Sequence, residues 1–340
     1  MASVFEWWTR RREGAARRKP VLCRIALALM ALLLLACIPA LGGAVRQAGA
    51  YLQYAFMARA LLGGSVIALC AALLGVILVL KQYSMIGDGL SHVGFGALTV
   101  TVALGSVTAA SLPAFLPLSL REGLAAACAA LSAQPLGLTL AAVVLCAVLL
   151  LARGSRSRGD ASIALLSTGA LAVGVIVSST VSGLNVDVTN YLFGSILAMG
   201  QGDVIVSLAL SCVVLVLFGL FYPRIFAVTF DEAFAQATGI RVSLFNLLIA
   251  VLTALTVVAG MRIMGTMLIS SLMILPAVSA MHLFSRFRAV LLASVVISLV
   301  CFTLGLMLSC LWSLPAGAGI VVVNLGADLV CMLIEGARNG

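Results

Sequence analysis

Charge is scarce in this chain. Asp, Glu, Lys and Arg make up 9% of its 340 residues, against 63% hydrophobic ones, which excludes an ordinary soluble domain. Its nine cysteines form no CxxC pair, and none neighbours a histidine, so they read as small buried hydrophobes with neither a ligand cluster nor a disulfide framework. No GxxxxGK[ST] pattern occurs, so if ATP powers this protein a separate subunit hydrolyses it. The net charge of +9 is first a topology signal, and no nucleic-acid partner is needed to explain it.

What the chain has instead is a series of apolar runs long enough to cross a bilayer as helices. The expected fold is all-α: a polytopic helical bundle of about eight to ten spans. Ten runs can be drawn, at about 22–41, 56–80, 89–108, 136–152, 161–182, 204–221, 244–261, 264–283, 289–312 and 316–335. Residues 1–20 form a basic cytoplasmic tail, 21–50 an additional first helix, and 51–337 the main membrane domain. Lys81, Arg153, Arg156, Arg158, Arg224, Arg241, Arg286, Arg288 and Arg338 then all fall inside, against Arg46 and Arg121 outside, as the positive-inside rule asks.

Three connections are irregular. Residues 109–135, with Pro113, Pro117 and Pro135, predict an external loop carrying one short helix. Residues 184–203 are too polar for a simple span and too apolar for an open loop, which predicts a broken helix shielded by protein. Residues 222–243 predict the longest cytoplasmic loop after the tail. Within it a short helix runs from Asp231 to Gly239, acidic in its first turn and closed by glycine.

The stretch SMIGDGLSHVGFGA, 84–97, carries the chemistry. Asp88 and His92 are four apart, one helical turn, so both project from one face. An ionisable residue at a membrane segment is costly unless paired or used. Carboxylate and imidazole together suit divalent first-row metals. Asp88 as a helix N-cap, with His92 bonding a carbonyl, is the plainer reading of the same spacing. The adjacent Ser91 and His92 point about 100° apart on a helix, which disfavours a hydrolase. His282, beside Ser285, Arg286 and Arg288, reads as a surface histidine at a helix C-terminus. Asp187 and Asp203 read as flanks of the broken helix, and Asp328 lies in a terminal span with no histidine near it in sequence.

The segment 261–280, MRIMGTMLISSLMILPAVSA, resembles the signature helix of the zinc and manganese ABC importer permeases, the ABC-3 family. GDGLSH at 87–92 is similar to the family's GD-x-LSH element, and YLFGSIL at 191–197 to its LFGD-type segment, with Ser195 in place of the usual aspartate. The resemblance runs from about residue 54 to 336 and leaves the first fifty residues as additions. It implies a plasma-membrane permease for zinc, manganese or ferrous iron that has no permanent cofactor and is not itself an enzyme. Its implied partners are a cytoplasmic ABC ATPase, an extracytoplasmic metal-binding protein, and a second permease copy or close homologue. It assigns metal binding to Asp88 and His92. Asp231, Glu232, Phe234 and Gly239 fall to ATPase coupling, and Gly265 and Pro276 to shaping the signature helix.

One carboxylate and one imidazole are too few to strip a divalent ion of water, so a two-fold dimer would supply four ligands. Gly87, Ser91, Gly94 and Gly96 offer little bulk and would let the partner helix approach closely. The competing class is an ion-coupled secondary carrier, which usually shows several intramembrane acids and internal repeats, neither of which is evident here.

Overall fold

In a computed structural model the described residues are 55–83, 85–106, 117–133, 135–152, 159–180, 194 and 200–339. The tail, the additional first helix and nearly all of the expected broken helix at 184–203 lie outside them. The described residues form eleven helices and no strand. These are α1 (Ala55–Leu80), α2 (Ile86–Leu104), α3 (Leu118–Ser132), α4 (Pro135–Ala152), α5 (Gly159–Thr180), α6 (Gln201–Phe230), α7 (Glu232–Ala237), α8 (Val242–Met264), α9 (Thr266–Leu283), α10 (Phe287–Trp312) and α11 (Ala316–Asn339).

Seven of these are long and apolar enough to cross a membrane, and α3 with α4 would make an eighth if taken as one bent span. The seven match seven of the ten expected runs. α2 is helical but is interrupted by glycine, aspartate and histidine. Residues 222–243 depart from expectation. The helix that begins at Gln201 does not stop near 221 but continues through Pro223 to Phe230, 30 residues in all. The physical reason is aromatic packing: Phe226 and Phe230 lie 5.0 and 5.4 Å, centroid to centroid, from Phe287 at the start of α10. That support keeps the segment helical where the proline alone suggested a break.

α1 is apolar on every side, and it is accordingly central, packed by α6, α8, α9 and α10. Gly75 lets α9 lie directly on it, since a Cβ there would be 1.8 Å from the Met273 carbonyl oxygen. Ser294 and Ser298 of α10 donate to the Ala72 and Ala68 carbonyls of α1 at 3.3 and 3.1 Å. Such interhelical bonds contribute about 0.6 kcal/mol each in a membrane.

α1 ends in a Schellman turn. The Tyr83 N–H donates to the Leu78 carbonyl at 2.8 Å and the Gln82 N–H to that of Val79 at 3.1 Å, with Gln82 left-handed at φ 63°. Glycine usually fills that position, and a side chain there costs about 1–2 kcal/mol. The turn delivers the chain straight into α2.

Candidate functional site

α2 is wrapped by its own chain. A Cβ on Gly87 would lie 3.0 Å from the Met273 sulfur of α9, on Gly89 2.6 Å from Ile163 of α5, on Gly94 2.4 Å from the Met261 sulfur of α8, and on Gly96 2.6 Å from the Ala170 carbonyl of α5. Ser91 is fully buried, and its hydroxyl donates back to the Asp88 carbonyl at 2.7 Å. This corrects the expectation that Gly87, Ser91, Gly94 and Gly96 make room for a partner's helix. The small residues are spent on contacts within the chain.

That packing leaves one strip of the helix uncovered. From Ile86 to Gly96 every residue is buried except Asp88 and His92. The Asp88 side chain is 44% exposed and that of His92 16%. Met85 occupies the N-cap position without a side-chain cap bond, and Asp88 lies inside the first turn, so the carboxylate does not serve as the cap. His92 turns Nε2 towards Asp88, 3.6 Å from Oδ1. Its Nδ1 is buried and has no hydrogen-bond partner among the described residues. Two ligands of a tetrahedral ion at bond lengths near 2.1 Å stand about 3.4 Å apart. The pair therefore has nearly the bite of two ligands on one divalent cation. Among the described residues no group of three or more His, Cys, Asp or Glu side chains converges to hold a metal, so Asp88 and His92 would be only part of a coordination shell there.

The short helix α7 lies outside the bundle. Asp231 caps it by accepting from the Phe234 N–H at 3.0 Å, and this bond holds the Asp231 carboxyl below the usual carboxylate range. Gly239, at φ 84°, closes it. Phe234 is 57% exposed, a large aromatic facing away from the chain, while Ala235 is buried beneath it. Glu232 accepts a hydrogen bond from Lys81 at 2.8 Å.

The signature segment is two helices in the fold. Gly265 ends α8 and opens α9 with φ 84° and ψ 165°, a conformation essentially confined to glycine. Gly194, of the LFGD-type segment, is also left-handed at φ 72°, and a Cβ there would meet Met264 backbone at 2.2 Å. Ser195 and Asp187 lie outside the described residues. Pro276 is buried inside α9, where it removes one backbone hydrogen bond. Asp203 opens α6 by accepting from the Gly200 N–H at 3.2 Å.

His282 is not the surface histidine expected. Its ring lies between Asp328, 4.0 Å from Nε2, and Glu335, bonded to Nδ1, both on α11, and its side chain is 19% exposed. Ser279 donates to the same Asp328 oxygen at 3.0 Å. The two ring nitrogens face different carboxylates, so the trio does not converge on one ion. The spacing of Ser279, His282, Asp328 and Glu335 along two helix faces was the available sequence signal.

A model of the ABC 3 transport family matches residues 53–335. The manganese transport system membrane protein MntC of Halalkalibacterium halodurans is 26% identical over 273 residues, covering 80% of this chain and 85% of that protein. The manganese import system permease protein ScaB of Streptococcus gordonii is 27% identical over 282 residues, covering 83% and 92%. The structure of PsaBC from Streptococcus pneumoniae in complex with Fab aligns with a TM-score of 0.64 at 24% identity, covering 82% of this chain and 91% of that one, a likeness of fold.

Proposed function

This chain belongs to the ABC 3 transport family: it is a multi-pass permease of the plasma membrane, and we propose that it carries a divalent metal ion inward, Mn²⁺ foremost. The observation that carries the reading is the pairing of Asp88 and His92, 3.6 Å apart and the two unburied side chains in an otherwise buried helical stretch. Relatives named for manganese support that ion. One carboxylate and one imidazole leave most of the ion's coordination shell to other donors. A second permease copy, or a close homologue, placed two-fold across this face supplies another carboxylate and imidazole. With so few protein donors the ion is released when the subunits part.

ATP is hydrolysed by a separate cytoplasmic subunit that receives α7, with Phe234 as the anchor and Asp231, Glu232 and Gly239 fixing the helix. An extracytoplasmic metal-binding protein delivers the ion at the opposite face. Gly265 and Pro276 shape α9, which backs the metal helix through Met273. The affinity order of divalent ions places Zn²⁺ above Mn²⁺ at such donors, so Zn²⁺ competes for the site.

The test is ATP-driven Mn²⁺ uptake in proteoliposomes holding the permease, its ATPase and its binding protein. Asp88→Ala and His92→Ala should each abolish uptake while the complex still forms and hydrolyses ATP. Near-normal uptake by either variant returns the pair to a helix-packing role. Metal entry with the permease alone, driven by an ion gradient, would replace this reading by a secondary carrier.

A further inference from the structure

Away from the metal pair, three polar side chains join helices that are distant in sequence. Lys81, the residue that follows α1, has a side chain only 5% exposed. Its ammonium donates to Glu232 Oε1 at 2.8 Å and to Asn246 Oδ1 at 2.6 Å, and Asn246 Nδ2 donates in turn to Glu232 Oε1 at 3.4 Å. A buried ammonium persists only where it is paired and hydrogen-bonded, so the position of Lys81 is tied to that of Glu232. Glu232 is 56% exposed, and water screens the attraction, so the pair adds little to stability. Its value lies in what it connects.

Glu232 is the first residue of α7, and Asn246 lies in the first turns of α8. Lys81 is followed at once by the Schellman turn, with Gln82 left-handed and Ile86 N–H donating to the Tyr83 carbonyl at 3.1 Å. α2 starts there and carries Asp88 in its first turn. A turn this short, pinned by three backbone hydrogen bonds, absorbs little displacement. By the chain itself α7 leads to α6 and α8, and α8 meets α2 only far along it, at Gly94 beside Met261; the Lys81 contact ties α7 to the start of α2.

We infer that the Lys81–Glu232 contact, braced by Asn246, passes movement of α7 to the N-terminus of α2 and thereby to Asp88. Lys81 is a positioning residue: it touches no metal, and it acts by moving the helix that carries the metal pair. The inference rests on the reading of α7 as the ATPase-docking helix and of α2 as the metal helix.

The experiment uses the assembled permease–ATPase complex and follows amide hydrogen exchange in peptides spanning 82–96, before and after trapping the ATPase with ATP and vanadate. This readout needs no metal, so it stands apart from the uptake assay that tests the proposed function. In the wild-type complex, trapping should change exchange across these residues at least two-fold. Lys81→Met should remove that change while leaving ATPase binding and hydrolysis in place. The charge reversal Lys81→Glu with Glu232→Lys should restore it, because Asn246 can turn its amide to donate to the new carboxylate. In vesicles, Mn²⁺ imported per ATP should fall at least ten-fold in Lys81→Met and recover in the reversal. Should Lys81→Met fail to assemble, Lys81→Gln, which keeps a polar side chain and removes the ammonium, serves the same comparison. An undiminished exchange change in either single variant, or a reversal that behaves as the single variants do, overturns the link. Absent Mn²⁺ uptake by the wild-type complex, with the exchange pattern intact, would count against the cargo alone.

Discussion

The imidazole of His282 on α9 sits 4.0 Å, through Nε2, from the carboxylate of Asp328 on α11, and its other nitrogen bonds Glu335 a further two turns along the same helix. These side chains are mostly buried, so they tie the two helices in a medium where a lone carboxylate is costly. His282→Ala leaves both acids without their shared partner. We expect a loss of about 1–3 kcal/mol, read as a lower Tm of the purified permease in detergent. An unchanged Tm would show the contact to be incidental.

The approach of α2 to α5 makes a sharper test. A Cβ on Gly96 would meet the Ala170 carbonyl at 2.6 Å, and backbone cannot step aside as a side chain can. Gly96→Ala should cost about 1–3 kcal/mol by forcing the helices apart. Gly123→Ala on α3, where nothing lies within 4 Å, is the matched control and should be neutral or slightly stabilising. Equal thermal stability of the two variants would contradict this packing.

Gly265 offers a conformational test. At φ 84° and ψ 165° any other residue is strained by about 1–3 kcal/mol. Gly265→Ala should therefore destabilise the permease, whereas Gly219→Ala, in open space on α6, should not. A Gly265→Ala protein with wild-type Tm and uptake would mean the break between α8 and α9 is dispensable.

Docking can be separated from folding at Phe234. The ring is 57% exposed, so Phe234→Ala should leave the permease intact while weakening ATPase binding about ten-fold, the equivalent of about 1.4 kcal/mol. Unchanged affinity in a pull-down titration would remove α7 from the docking surface.

The cap on α7 has a definite pH sense. The Asp231 carboxyl titrates below its unfolded value because the ionised form accepts the Phe234 N–H. Its contribution is thus complete above the unfolded value, near 3.9, and is lost as pH falls through the lower folded one. Protection of the Phe234 amide, normalised to an unstructured peptide, should drop in that acid window. In Asp231→Asn it should not depend on pH there.

Sequence periodicity located the helices well because long apolar runs have few alternatives in a bilayer. Asp88 and His92 stand out for a different reason: charge is rare in such runs. The end of α6 is not legible in the sequence, which places 222–230 in a loop; Phe287, far along the chain, shows why the helix persists. The partners of His282 were hidden for the same reason, since Asp328 and Glu335 reach it through the packing of α9 on α11. The glycines around Asp88 were read correctly as close-packing sites but assigned to the wrong neighbour. A small residue announces that a helix comes near and says nothing of which one.

The length of α6 has a consequence for where α7 sits. Thirty residues make a rod of about 45 Å, roughly 15 Å more than the hydrocarbon thickness of a bilayer. α7 follows at its end, so the surplus length sets α7 beyond the hydrocarbon at a distance fixed by protein rather than lipid. Contacts of Phe226 and Phe230 with Phe287 brace that extension against α10. Transport should therefore be less sensitive to membrane thickness than it would be for a permease whose cytoplasmic contacts lay at the lipid surface.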